Sequence, residues 1–169
     1  DDEIVVTVDG DDYLVNKYIL DFINTKYANN RELWMTYGNL QCNKVIPDFI
    51  KEPNWEQPLR YQPFCFGHLR TQKWFLYKNI LDVDLKDDDG KWFKYPEDWV
   101  FMYPTAEMSG KDHCLMIKDK IYYYQITEYY DWSIHREEAD AVRMKIFSRI
   151  PYSLKTEEEL KNHECDWKE

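Results

Sequence analysis

The stretch from Lys120 to Trp132 carries Tyr122, Tyr123, Tyr124, Tyr129, Tyr130 and Trp132, so a strand through it is aromatic on both faces. One face can pack on a helix or a neighbouring sheet, and the other needs a second cover. The bias runs through the chain, with 14 Tyr, 8 Phe and 7 Trp among 169 residues. Two readings follow: an ordinary aromatic core with exposed tyrosines, or a surplus that walls a ligand cavity. Either one excludes an intrinsically disordered chain. The length suits a single domain over residues 1–169. With 22 Lys plus Arg against 32 Asp plus Glu, the net charge of −10 argues against a nucleic-acid partner and an anionic membrane surface. No apolar run approaches the roughly 18 residues of a spanning helix, and the charged opening Asp1-Asp2-Glu3 does not read as a signal peptide.

Leu14 to Ile23 reads as a short helix, with Leu14, Tyr18, Phe22 and Ile23 at helical spacing. Strands are then expected at Glu32–Tyr37, Lys73–Leu81, Lys91–Tyr95, Asp98–Tyr103, Asp112–Lys118, Lys120–Trp132 and Ala141–Ile150. Pro47, Pro53, Pro58 and Pro63 make the segment from Lys44 to Arg60 a long irregular connection. Asp87-Asp88-Asp89-Gly90 is a hairpin signal. In the last strand Val142, Met144, Ile146 and Ile150 alternate with Arg143, Lys145 and Arg149, although Phe147 interrupts the pattern. Thr156 with Glu159 three residues on is a capping box for a closing helix that Leu154 and Leu160 hold to the body. The expectation is all-β with flanking helices: a short helix, seven or eight mainly antiparallel strands forming a sandwich or up-and-down barrel, and a C-terminal helix.

Catalytic signatures are missing from the sequence: there is no Gly-x-Ser-x-Gly, no phosphate-cradling glycine loop and no His-Glu-x-x-His. The expectation is therefore no enzyme, no cofactor and no metal. His68, His113, His135 and His163 are scattered and read as surface or structural residues. The acidic run Asp82 to Gly90 does not fit a calcium loop, because Leu85 and Pro96 would fall on its first and last ligand positions. Cys42, Cys65, Cys114 and Cys165 contain no C-x-x-C pair. Their wide scatter suits two disulfides in a secreted protein, the alternative being four reduced thiols, and spacing does not choose among the pairings. Oxidised cysteines would leave no thiolate beside His68 or His113 to bind metal.

The order of several stretches resembles the salivary lipocalins of ticks. Tyr18-Ile19-Leu20-Asp21-Phe22-Ile23-Asn24-Thr25, followed by Leu33-Trp34-Met35, is similar to that family's N-terminal helix and first strand. Cys42 follows soon after, as the family's first bridging cysteine does. Asp112-His113-Cys114-Leu115-Met116-Ile117 with Tyr129-Tyr130-Asp131-Trp132 resembles the paired late strands, and Leu154 to Cys165 the terminal helix with its cysteine. The resemblance implies an eight-stranded antiparallel barrel, a Cys42–Cys165 bridge with Cys65 left to Cys114, and secretion into a host. Trp34 would close the barrel floor.

Members of that family capture histamine or serotonin in one branch and fatty acids, leukotrienes or sterols in others. The amine branch carries Cys-Asp-aliphatic and Glu-Leu-Trp, where this chain has Cys114-Leu115 and Tyr130-Asp131-Trp132. A buried amine without a carboxylate partner is costly, which favours a small apolar ligand: a sterol, fatty acid or eicosanoid. Expected ligand contacts are Tyr37, Phe75, Tyr77, Phe101, Tyr123, Met144 and Ile146. For the alternative, a scavenger of biogenic amines, Glu128 or Asp131 would supply the carboxylate. The resemblance to the japanin-type branch further implies modulation of host dendritic cells. A third reading is a protein–protein module that engages a host immune factor or immune-cell receptor through Asp82–Gly90 and Pro47–Pro63.

Overall fold

The computed structural model describes residues 2–46, 48–93, 97–126 and 136–165. Among these, the strands are β1 (Ile4–Thr7), β2 (Tyr13–Leu14), β3 (Met35–Cys42), β4 (Arg70–Lys73) and β5 (Cys114–Tyr124). The helices are α1 (Ile19–Asn29), α2 (Trp74–Tyr77), α3 (Glu97–Ser109), α4 (Arg136–Ser148) and α5 (Glu157–Asn162). The strands form one sheet in the order β1-β4-β3-β5-β2.

The central strand β3 is antiparallel to β4 and parallel to β5. Met35 and Thr36 have partners on both sides, Gln72 and Thr71 on β4, Cys114 and Leu115 on β5. The β3–β5 register shifts around Asn39, so the pair is irregular at its middle. Polar side chains buried here satisfy one another. Thr71 Oγ1 lies 2.7 Å from Thr36 Oγ1 and 2.8 Å from the Tyr27 hydroxyl, which ties α1 to the sheet. Ile19, Ile23 and Tyr27 are the buried stripe of α1, four residues apart.

Helix α3 buries Val100, Met102, Tyr103, Ala106 and Met108 despite Pro104 within it. A buried ion pair joins it to the turn Leu59–Tyr61: Arg60 donates to both Glu107 oxygens at 2.8 and 2.9 Å and to the Ile146 carbonyl at 3.0 Å. The Tyr152 N–H completes the Glu107 carboxylate at 3.0 Å. The α5 capping box is present as the sequence predicts, with Leu160 buried, whereas Leu154 is exposed.

An eight-stranded antiparallel barrel is therefore not the fold: three expected strands are wholly or partly helix, two merge into one, and in Lys91–Tyr95 the described residues form only an isolated bridge at Trp92. Lys73–Leu81 begins in β4 but turns into α2, where Phe75, Leu76 and Tyr77 are all buried. An apolar run without alternation has no period that separates strand from helix. Asp98–Tyr103 is the first half of α3. Ala141–Ile150 is mostly α4, and its buried residues Ala139 and Ile146, with Val142 packed beside them, fit a helical repeat that Phe147 continues. Asp112–Lys118 and the start of Lys120–Trp132 are instead one strand, β5, parallel to β3. The N-terminal helix starts later than expected, since Tyr13–Leu14 is β2 and Tyr18 is exposed. The Asp87–Gly90 turn does form: Lys86 bridges antiparallel to Trp92 and Gly90 has φ +76°.

Candidate functional site

The seven residues expected around one ligand are dispersed. Tyr37, Phe75, Tyr77 and Ile146 are buried in the packed interior. The Tyr37 ring packs edge-on against Phe66 at 5.1 Å, and its hydroxyl donates to the Lys51 carbonyl at 3.0 Å. Phe75 meets Trp34 edge-on at 5.5 Å, and the Tyr77 hydroxyl donates to Gln72 at 2.9 Å. Tyr123 stacks on Tyr13 at 4.6 Å, and Met144 is 67% exposed on α4. Phe101 lines an apolar cleft, and Ile146 borders a much smaller cavity of about 10 Å³ beside Arg60. Ring-on-ring contacts of this kind, continued by Phe64 with Trp99 at 5.0 Å, absorb much of the aromatic surplus. Glu128 and Asp131 lie outside the described residues.

The cleft has a volume of about 190 Å³ and is lined by Leu85, Trp92, Phe93, Val100 and Phe101. The turn from Leu85 to Phe93 forms one wall and α3 the other. Phe93 N–H donates to the Leu85 carbonyl at 3.2 Å, which closes the turn against α3. Leu85, Phe93 and Val100 are buried while Trp92 is half exposed. Lys86 lies over the Trp92 ring at 4.8 Å and Arg149 over Phe93 at 5.5 Å. Asp82 and Asp84 on the same segment are already paired, with Lys86 and Arg149, each at 2.7 Å.

The structure holds all four cysteines as free thiols. A negative charge on Cys65 would disfavour one on Cys114, and a charge on either would disfavour one on Tyr37. Burial pushes the Cys65 thiol up to about 11 and the Cys114 thiol higher still. Cys42 ends β3 half-buried, and Cys165 is exposed after α5.

A polar cluster that sequence reading passed over lies at the β2–β5 edge. Asp9 and Asp12 belong to a turn closed by Asp12 N–H donating to the Asp9 carbonyl at 3.1 Å. Asp9 N–H donates to the Tyr122 hydroxyl at 3.0 Å and Gln125 N–H to Asp12 Oδ1 at 2.8 Å, so both residues are anchored to the end of β5. The His68 ring stacks on Tyr122 at 4.7 Å and on Tyr124 at 5.9 Å. Its side chain is 7% exposed, and Nε2 faces Asp9 Oδ2 from 3.7 Å, beyond hydrogen-bond reach. His68 Nδ1 is buried without a hydrogen-bond partner, while the Asp12 carboxylate interacts with the Tyr122 hydroxyl. An orphaned buried polar atom costs about 1–3 kcal/mol, so the His68 ring calls for a reason. Burial, helped by the Arg70 charge, holds His68 well below the usual imidazole range and so neutral, while burial raises Asp12. Arg70 itself is engaged by Asp98 at 2.9 Å and the Phe66 carbonyl at 3.0 Å.

No family model and no curated protein sequence matches this chain. No helix among the described residues is long and apolar enough to cross a membrane.

Proposed function

We propose that the chain is a binding protein that takes a small apolar or aromatic group in the cleft between Leu85–Phe93 and α3. The observation that carries this reading is an apolar floor and walls open to solvent at Trp92 and Phe101. Ligand pockets that swallow a whole drug-sized molecule begin at about 300 Å³. A cleft of about 190 Å³ suits one ring or the end of an acyl chain and is too small to enclose a sterol. Lys86 and Arg149, over its aromatic rings, are each neutralised by an aspartate, Asp82 and Asp84, so the apolar lining rather than charge selects the guest. Of the ligand classes expected from sequence, the acyl chain of a fatty acid or eicosanoid fits this volume better than a sterol. Without the barrel, the family resemblance lends no support to a host-directed role, and the reading rests on the cleft.

Titration of the full chain with a fluorescent fatty acid tests it. Saturable binding of one probe per chain is expected, weakened at least tenfold by Phe101→Ala or Trp92→Ala. Equal binding by both variants, or none by the wild type, would overturn the reading.

A further inference from the structure

We propose that Asp9, Asp12 and His68 form a binding site for one divalent transition-metal ion of the zinc, cobalt and manganese class. One donor atom from each residue lies within 4.8 Å of the other two. The three come from two separate segments and are brought together by β5, through the Asp9–Tyr122 and Asp12–Gln125 hydrogen bonds and the stacking of His68 on Tyr122.

Acidic pairs on surface turns are common and mean little alone. What sets this cluster apart is the histidine. Its side chain is more than nine-tenths buried and turns Nε2 towards the Asp9 carboxylate, while Nδ1, on the other side of the ring, is left without a hydrogen bond. The nearest approach, 3.7 Å between Nε2 and Asp9 Oδ2, is too long for a hydrogen bond. It is close to the about 3.4 Å that separates two donors sharing a tetrahedral ion at about 2.1 Å each. Asp12 supplies the third donor, a carboxylate oxygen within 4.8 Å of the other two. Imidazole with two carboxylates is a mixed nitrogen and oxygen donor set. Calcium and magnesium take oxygen ligands, so the set selects borderline transition ions. Three protein donors leave at least one coordination position for water or a ligand.

The test uses the full reduced chain stripped with chelator and titrated separately with zinc chloride and cobalt chloride. One ion per chain is expected, with cobalt visible bands and no thiolate-to-cobalt charge-transfer band. Asp9→Asn and Asp12→Asn keep side-chain shape while removing charge, and each is expected to weaken zinc binding at least tenfold. Zinc is expected to raise the thermal midpoint of the wild type and of neither variant. Should one variant fail to fold, the other decides. Absence of saturable binding, a thiolate band reporting cysteine ligation, or unchanged affinity in the Asn variants would overturn the proposal. The Trp92→Ala variant should bind zinc as the wild type does, which separates this site from the cleft.

Discussion

At the scale of single residues, the buried pair of Arg60 and Glu107 is the costliest to disturb. Burial pushes the Glu107 carboxyl above its ordinary range, against the pull of Arg60, so the charge depends on its partner. Arg60→Met should destabilise the fold by about 3–5 kcal/mol, and the double variant Arg60→Met/Glu107→Leu should recover much of the loss. Urea denaturation of the three proteins measures both. The thiols separate in the same way. Under reducing conditions at neutral pH, native-state alkylation followed by mass spectrometry should label Cys165 first. Cys65 and Cys114 should lag, because burial leaves almost none of either as thiolate. None of this was legible in sequence. Arg60 and Glu107 sit far apart in the chain, as do Asp9 and His68, and nothing at any one of these positions names its partner. The only local cue to the cluster is an Asp-Gly-Asp-Asp turn, which reads equally well as a solvated loop.

At the scale of elements, α4 gives the sharpest check. In a strand Met144 and Ile146 would share a face, whereas in the helix Met144 is 67% exposed and Ile146 is 3%. Ile146→Ala should cost about 2–5 kcal/mol and Met144→Ala under about 0.5 kcal/mol. Equal losses would restore the strand. For α5, Thr156→Ala should cost about 1 kcal/mol, since Thr156 caps the helix and holds Glu159. Thr156 N–H and hydroxyl donate to Glu159 at 2.7 and 2.9 Å and hold its carboxyl below the usual range. Its stabilising contribution is therefore present above the ordinary carboxylate value and lost as pH falls through the lowered one. NMR titration should place the Glu159 midpoint lower in the wild type than in Thr156→Ala. Elements marked by side-chain chemistry were legible: the capping box, the Asp87–Gly90 turn, and the irregular run after Lys44. Elements inferred from apolar runs alone were not. Phe75-Leu76-Tyr77 is buried on all sides, and Val142, Met144 and Ile146 alternate by chance on a helix.

At the scale of the whole molecule, stability concentrates where β3 is paired on both edges. Amide exchange should be slowest from Met35 to Tyr37 and at Thr71 and Gln72, and fastest in β2 and α5. Uniform protection across the sheet would contradict this. The aromatic richness of the core was legible in the sequence, but a parallel pairing leaves no local trace, because its partners meet only through a long excursion. That excursion has a further consequence. β3 ends at Cys42 and its parallel partner starts at Cys114, so a chain emerging from the ribosome displays one unpaired edge of β3 until β5 has cleared the exit tunnel. Throughout that interval the aromatic segments between them have no finished sheet to lie on.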